Sequence, residues 1–91
     1  METSSYKVPG GKLLRITLSR EDGRISTIKI TGDFFLHPES TLDEIEKNLV
    51  GVMLLHSELQ EKIELVIAEM NATLIGATAA DIARTIMLAV A

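Results

Sequence analysis

Residues 12–31 constrain the fold more than any other stretch. Leu14, Ile16 and Leu18 alternate with Arg15, Thr17 and Ser19, and a period of two puts the apolar set on one face of a strand. Ile28 and Ile30 alternate with Lys29 and Thr31 in the same way. Glu21-Asp22-Gly23 lies between the two runs. The spacing predicts strands over 12–19 and 24–31, paired as a hairpin with one buried face. Two turns compete for the connection. A two-residue Asp22-Gly23 loop in a regular ladder would set Ile16 opposite Lys29 and Leu18 opposite Thr27. A three-residue loop, Glu21 to Gly23, sets Ile16 opposite Ile28 and Leu14 opposite Ile30, with Arg20 facing Arg24. Only the second brings the apolar faces together, so the longer loop is expected.

After the hairpin the period changes. Gly32-Asp33 turns the chain, and Phe34-Phe35-Leu36 is a candidate for a short third strand before His37-Pro38-Glu39 breaks the pattern. A helix is predicted from Ser40 or Thr41, with Leu42, Ile45 and Leu49 as its buried stripe and Gly51 as terminator. Thr41 and Glu44 have the spacing of a capping box. Ser57-Glu58-Leu59-Gln60 opens a second helix in the same manner, with Leu59, Ile63, Val66, Ile67 and Met70 on one face. Glu58 and Lys62 are spaced for an ion pair, and Asn71 ends the helix. A third helix is expected from Ala79 to Val90, capped by Thr78, with Ile82, Ala83, Ile86, Met87 and Val90 buried. A hairpin followed by about three helices packed on one sheet face is an α+β arrangement.

The chain has 91 residues, the size of one domain, and 1–91 is read as such. Its hydrophobic content of 46% is far above that of a disordered chain. With only Tyr6, Phe34 and Phe35 as aromatics, the core must be aliphatic. Cysteine is absent, which rules out disulfides, thiolate catalysis and cysteine zinc sites. The first residues lack the apolar core of a signal peptide, and a cytoplasmic protein is expected. The net charge of −4 is unevenly spread: residues 1–38 carry +2 and residues 39–91 carry −6. An acidic chain with so few aromatics is a poor candidate for nucleic acid. No membrane role is expected either.

Little in the chain suggests reactive chemistry. His37 and His56 are isolated and lack metal-ligand spacing. The carboxylates lie on predicted solvated helix faces, and no Ser-His-Asp context occurs. Val8-Pro9-Gly10-Gly11-Lys12 lacks the spacing of a phosphate-binding loop and precedes a strand instead of a helix. It reads as a tight turn that could also let a ligand approach the backbone near Lys7 and Lys12. Phe34 and Phe35 must face opposite sides of an extended chain, so one can enter the core and the other is left for solvent or a partner.

Taken together, Lys7-Val8-Pro9-Gly10-Gly11-Lys12-Leu13-Leu14, the hairpin, and Ile28-Lys29-Ile30-Thr31-Gly32-Asp33-Phe34-Phe35 resemble the accessory, or C-terminal, domain of lipoate–protein ligases. The helix with Ile45-Glu46 and Leu49-Val50-Gly51 is similar too. The likeness is specific over residues 7–52. In many such ligases the domain follows a catalytic domain. A chain that begins at Met1, shortly before the motif, looks like the bipartite form, in which the small subunit is a separate polypeptide.

The resemblance implies a non-catalytic accessory subunit with no activity alone and no cofactor of its own. Lipoate, ATP and Mg2+ are expected on the catalytic large subunit. Lipoate and ATP would there give lipoyl-adenylate and pyrophosphate, and the lipoyl group would pass to a lysine of an acceptor domain. Lys7, Gly10, Gly11, Lys12, Gly32, Asp33, Phe34 and Phe35 are the residues expected to face the partner's active site. Three rivals stand beside this reading. Sulfur-transfer accessory proteins share the scaffold but work through cysteine. Lipoyl or biotinyl carrier domains are all-β and present a lysine where this hairpin has Glu21-Asp22-Gly23. The third is a generic regulatory module of an unrelated enzyme.

Overall fold

The alternating runs pair as expected, but a third strand joins them from the N-terminus. The computed structural model describes residues 1–91. Strands β1 (Glu2–Lys7), β2 (Leu13–Glu21) and β3 (Arg24–Gly32) form an antiparallel sheet in the order β1-β2-β3. After β4 (Phe35–His37) come helix α1 (Ser40–Leu49), helix α2 (His56–Glu69), strand β5 (Thr73–Ile75) and helix α3 (Ala79–Ala89). The architecture is α+β, with helices on one face of the sheet. α3 lies against β1 and β2, α1 lies against β3, and α2 packs on both helices.

The third strand of the sheet is therefore Glu2–Lys7 and not Phe34–Leu36. The phenylalanine segment does become extended, but β4 pairs with β5 in a separate two-stranded sheet, with Phe35 opposite Ile75 and His37 opposite Thr73.

The hairpin turn also differs from expectation. Glu21 pairs with Arg24 across a two-residue Asp22-Gly23 loop. Asp22 and Gly23 take φ of 54° and 76°, the paired positive values of a turn whose twist suits a hairpin. A bulge then corrects the register: Arg20 faces Ile25 but Ser19 faces Thr27, leaving Ser26 unpaired. Beyond the bulge Ile16 sits opposite Ile30 and Leu18 opposite Ile28. One extra residue reverses the parity of a strand. Ile25 thereby joins Ile28 and Ile30 on the inner face, which a regular ladder forbids.

The inner face supplies Leu14, Ile16, Leu18, Ile25 and Ile30 to the core, all buried. Ile45 and Leu49 of α1, Leu59, Ile63 and Val66 of α2, and Ile82, Ala83 and Ile86 of α3 close over them. β1 has no apolar inner row. Its inward positions make polar contacts instead: Glu2 with Arg20 at 2.9 Å, Ser4 Oγ donating to Thr85 O at 2.6 Å, and Tyr6 beneath Arg84, whose guanidinium carbon is 5.2 Å from the ring centre.

Of three expected caps, one forms. Thr78 Oγ1 accepts from Asp81 N–H, and Asp81 accepts from Thr78 N–H, closing a capping box on α3. Thr41 instead lies inside α1, fully buried, with its hydroxyl unpartnered. The helix has already begun at Ser40, after Pro38 C=O accepts from Thr41 N–H at 3.0 Å. Ser57 is likewise inside α2, which starts at His56 without a side-chain cap. Glu58 and Lys62 form no ion pair within 4.0 Å. The pairs that form are Lys12–Asp33, Arg20–Glu2 and Lys47–Glu44. No helix is long and apolar enough to cross a membrane.

Candidate functional site

Both glycine-containing stretches lie at the end of the sheet opposite the Asp22-Gly23 tip. Val8 to Lys12 is the turn that joins β1 to β2. Val8 N–H donates to Lys12 O at 2.9 Å, and Gly11 N–H donates to Val8 O at 2.8 Å. Because β1 precedes it, this segment is a hairpin turn and not a lead-in from a loose terminus. β3 ends beside it at Gly32, opposite Leu14, and Asp33 N–H continues the ladder to Leu13 O at 3.4 Å.

The close approach at Gly32 accounts for glycine there. A Cβ at this position would lie 2.6 Å from Leu13 O and 2.8 Å from the Phe34 ring, distances that no packed carbon tolerates. Phe34 therefore folds back over bare backbone, is half-buried, and packs against the core. Phe35 points the other way and stays 55% exposed. Its ring lies parallel to His37, with centres 6.3 Å apart.

A third segment, which no motif marks, completes this end. Gly76 follows β5 with φ of +96°, a left-handed value that favours glycine. Its carbonyl oxygen would meet a Cβ on Gly11 at 3.0 Å, and its own Cβ would strike Lys12 Cγ at 2.9 Å. Residues 7–12, 32–35 and 75–76 are thus packed together. Ile75, the cross-strand partner of Phe35, is 60% exposed. The only local signal was a glycine shortly before the Thr78 cap.

Every residue singled out from the two motifs lies in or beside this cluster: Lys7 at the end of β1, Gly10 and Gly11 in the turn, Lys12 just before β2, Gly32 at the end of β3, Asp33 and Phe34 in the link that follows, and Phe35 at the start of β4. Lys12 Nζ is 4.0 Å from Asp33 Oδ2, and both side chains are mostly exposed. Such a pair is weak and easily exchanged for another anion. Alongside lies a cleft of about 470 Å³, lined by Ile30, Phe34, Leu36 and Leu42 with Lys29, His37 and Glu39. The arrangement offers an exposed apolar pair, Phe35 and Ile75, beside lysine ammonium groups. It contains no nucleophile–base pair. Nowhere do three or more His, Asp or Glu side chains come together as a cation site. A surface of this kind can bind a partner and exclude water.

Comparison with known proteins gives a consistent picture. Residues 3–86 match the family described as bacterial lipoate protein ligase C-terminus. The chain is 39% identical over 51 residues to lipoate-protein ligase A subunit 2 of Thermoplasma acidophilum, and that stretch covers 56% of this chain and 53% of the relative. The alignment thus spans about half of the relative's length. A solved structure from an archaeal lipoylation system, a bi-partite lipoate protein ligase and its E2 lipoyl domain from Thermoplasma acidophilum, superposes with a TM-score of 0.79. That match has 26% identity and covers 94% of each chain.

Proposed function

The chain belongs to the lipoate protein ligase C-terminal family, and from that premise we propose that it is the non-catalytic accessory subunit of a bipartite lipoate–protein ligase. It completes the site at which a catalytic partner activates lipoate with ATP to lipoyl-AMP and pyrophosphate. The partner then passes the lipoyl group to a lysine of a lipoyl acceptor domain. The observation that carries this reading is the convergence of two sequence-distant turns, Val8–Lys12 and Gly32–Phe35, on one end of the sheet. There the fold combines two exposed lysines, glycine backbone and the exposed apolar side chains of Phe35 and Ile75. The likeness to a second subunit and to a bi-partite ligase supports it.

The chemistry needs such a surface. An acyl-adenylate is a reactive mixed anhydride, and water in the site destroys it. A domain closing over the partner excludes that water. Phe35 and Ile75 supply the apolar contact. Lys7 and Lys12 offset the negative charge of the nucleotide phosphates, and Lys12 gives up only a weak contact with Asp33 to do so. Lipoate, ATP and Mg2+ are held by the catalytic partner. The lysines here fit the phosphate charge from outside, whereas no cluster of carboxylates in this chain fits the metal.

The test is reconstitution. The catalytic partner is assayed for lipoate-dependent pyrophosphate release with and without this chain, and then with the Lys12→Ala variant. Release is expected to require the chain, and Lys12→Ala is expected to lower the rate by about tenfold, the loss of one charged contact. Release that is equal without the chain sinks the reading. An unchanged rate with the variant removes Lys12 from the site and leaves the rest standing.

A further inference from the structure

The sheet has two edges, and the fold treats them differently. On β3, Ile30 N–H leaves the ladder and donates to Glu46 Oε2 at 2.7 Å. Since outward-facing groups recur at every second residue, Ile28, Ile30 and Gly32 face that edge. The edge is obstructed in the middle and at the hairpin end of its run. Glu46 occupies the middle, and past the bulge Ile25 pairs with Gly51 N–H at 2.8 Å and Val52 C=O at 3.1 Å.

The same parity fixes what β1 exposes. Ile16 lies opposite both Ile30 and Ser4, and Ile30 turns away from β2, so Ile16 bonds to Ser4. Val8 N–H donating to Lys12 O follows the same parity. The backbone N–H and C=O groups of Thr3, Ser5 and Lys7 must then point away from the sheet. No hydrogen bond from a loop or side chain reaches them. β1 carries no proline and no bulge. α3 lies beneath its inner face and leaves the edge open. Natural sheets usually block such an edge, as this one does on β3.

Charge selects the occupant. Lys7, Arg15 and Lys29 project from the outer face on three successive strands. Their cross-strand neighbours are Leu13 for Lys7, Ser5 and Thr31 for Arg15, and Thr17 for Lys29. No carboxylate lies among them. Within the strands and their turns the carboxylates of the outer face sit at the two ends, Glu21 opposite Arg24 at the tip and Asp33 beside Lys12, while Glu46 of α1 is taken up by Ile30 N–H at the β3 edge, far from β1.

We propose that the free edge of β1 takes up an extended strand of the catalytic partner, one that presents carboxylates on the outer face of the sheet. The enlarged sheet then runs through both subunits, a known mode of recognition. This rests on the reading of the chain as an accessory subunit and adds the surface by which it docks. β1 runs into the Val8–Lys12 turn, so a strand seated there holds that turn against the partner's site. A second copy of this chain is a poorer occupant, because it brings another Lys7 and Arg15 to the same face and no carboxylate.

The experiment is amide hydrogen exchange by NMR on the whole chain, alone and with the catalytic partner. The amides of Thr3, Ser5 and Lys7 are expected to slow by at least about tenfold in the complex, whereas Ser4 and Tyr6, already bonded to β2, change little. Arg15→Glu is measured alongside by titration calorimetry. It sits on an exposed face, is expected to fold normally, and should weaken binding at low salt by about tenfold. If the chain binds but those three amides exchange as fast as in the free protein, the edge proposal is overturned and the accessory-subunit reading survives. If the chain alone sediments as a dimer with the same three amides protected, the occupant is a second copy and the proposal also fails. If no complex forms at all, the accessory-subunit reading fails first and this inference with it.

Discussion

Replacing Phe34 and Phe35 separately by alanine divides the core from the docking surface. The two residues are adjacent, yet Phe34 folds over Gly32 and packs against the core, while Phe35 leaves 55% of its surface in water. A phenylalanine side chain presents roughly 200 Å², so the exposed part of Phe35 is about 110 Å². Complete burial of that area at ~25 cal/mol/Å² contributes about 2.7 kcal/mol. A partner that covers half to all of it should lose roughly tenfold to a hundredfold in affinity on Phe35→Ala. Stability of the isolated chain should fall by under about 1.5 kcal/mol, the loss of the His37 stack and some local packing. Phe34→Ala should do the reverse. Full burial of a phenylalanine is worth ~3–5 kcal/mol, and its half-buried position scales this to about 2 kcal/mol, or roughly 8–16 °C in melting temperature. Thermal unfolding of the chain alone and calorimetric titration into the catalytic partner read the two quantities separately. Phe35→Ala binding within twofold of the parent, or melting as low as Phe34→Ala, would refute the assignment of an inward and an outward phenylalanine.

Two further outcomes probe the local structure. Gly32→Ala forces a carbon to 2.6 Å from Leu13 O and 2.8 Å from the Phe34 ring; overpacking of this kind costs about 1–3 kcal/mol, visible as a lower melting temperature with faster exchange of the Asp33 amide. Thr78→Ala and Thr41→Val should move stability in opposite directions although both threonines begin a similar four-residue pattern. The first removes a formed capping box and costs about 1 kcal/mol. The second relieves a buried hydroxyl without a partner and should be neutral or stabilising by up to about 1 kcal/mol in urea unfolding.

The legible part of the fold is the part whose side chains alternate between oil and water. β2 and the three helices announced themselves because one face of each is aliphatic and buried. β1 did not, since its inner side chains are Glu2, Ser4 and Tyr6, each satisfied by a polar contact with Arg20, Thr85 or Arg84. Hydrophobic period cannot register a strand held in this way. β5, with three residues, is too short for any period. The bulge did leave a trace: Ile25, Ile28 and Ile30 are spaced by three and then two, and no regular strand puts all three on one side. A regular ladder aligns Ile28 and Ile30 with β2 only across the longer loop, whereas the bulge aligns all three across the shorter one. The caps expected at Thr41 and Ser57 failed for a different reason. The Thr41 pattern and the Thr78 pattern are equivalent locally, and what separates them is where the preceding chain starts the helix.

For the candidate site, sequence located the pieces but only part of their company. That the turn before β2 and the turn after β3 share one end follows from hairpin connectivity alone, because both lie opposite the Asp22-Gly23 tip. The arrival of Gly76 depends on β4–β5 pairing, with Phe35 opposite Ile75 and His37 opposite Thr73, which nothing local encodes. The charge asymmetry gains direction from the fold as well. Helices that cover the inner face leave period-two cations such as Arg15 and Lys29 nowhere to go but outward, while the acidic helix positions face away on the opposite layer. A net charge of −4 is therefore a poor guide to what this protein attracts. The sheet side draws acidic surfaces and the helix side repels them, so the polarity of the molecule orients a partner before any contact forms.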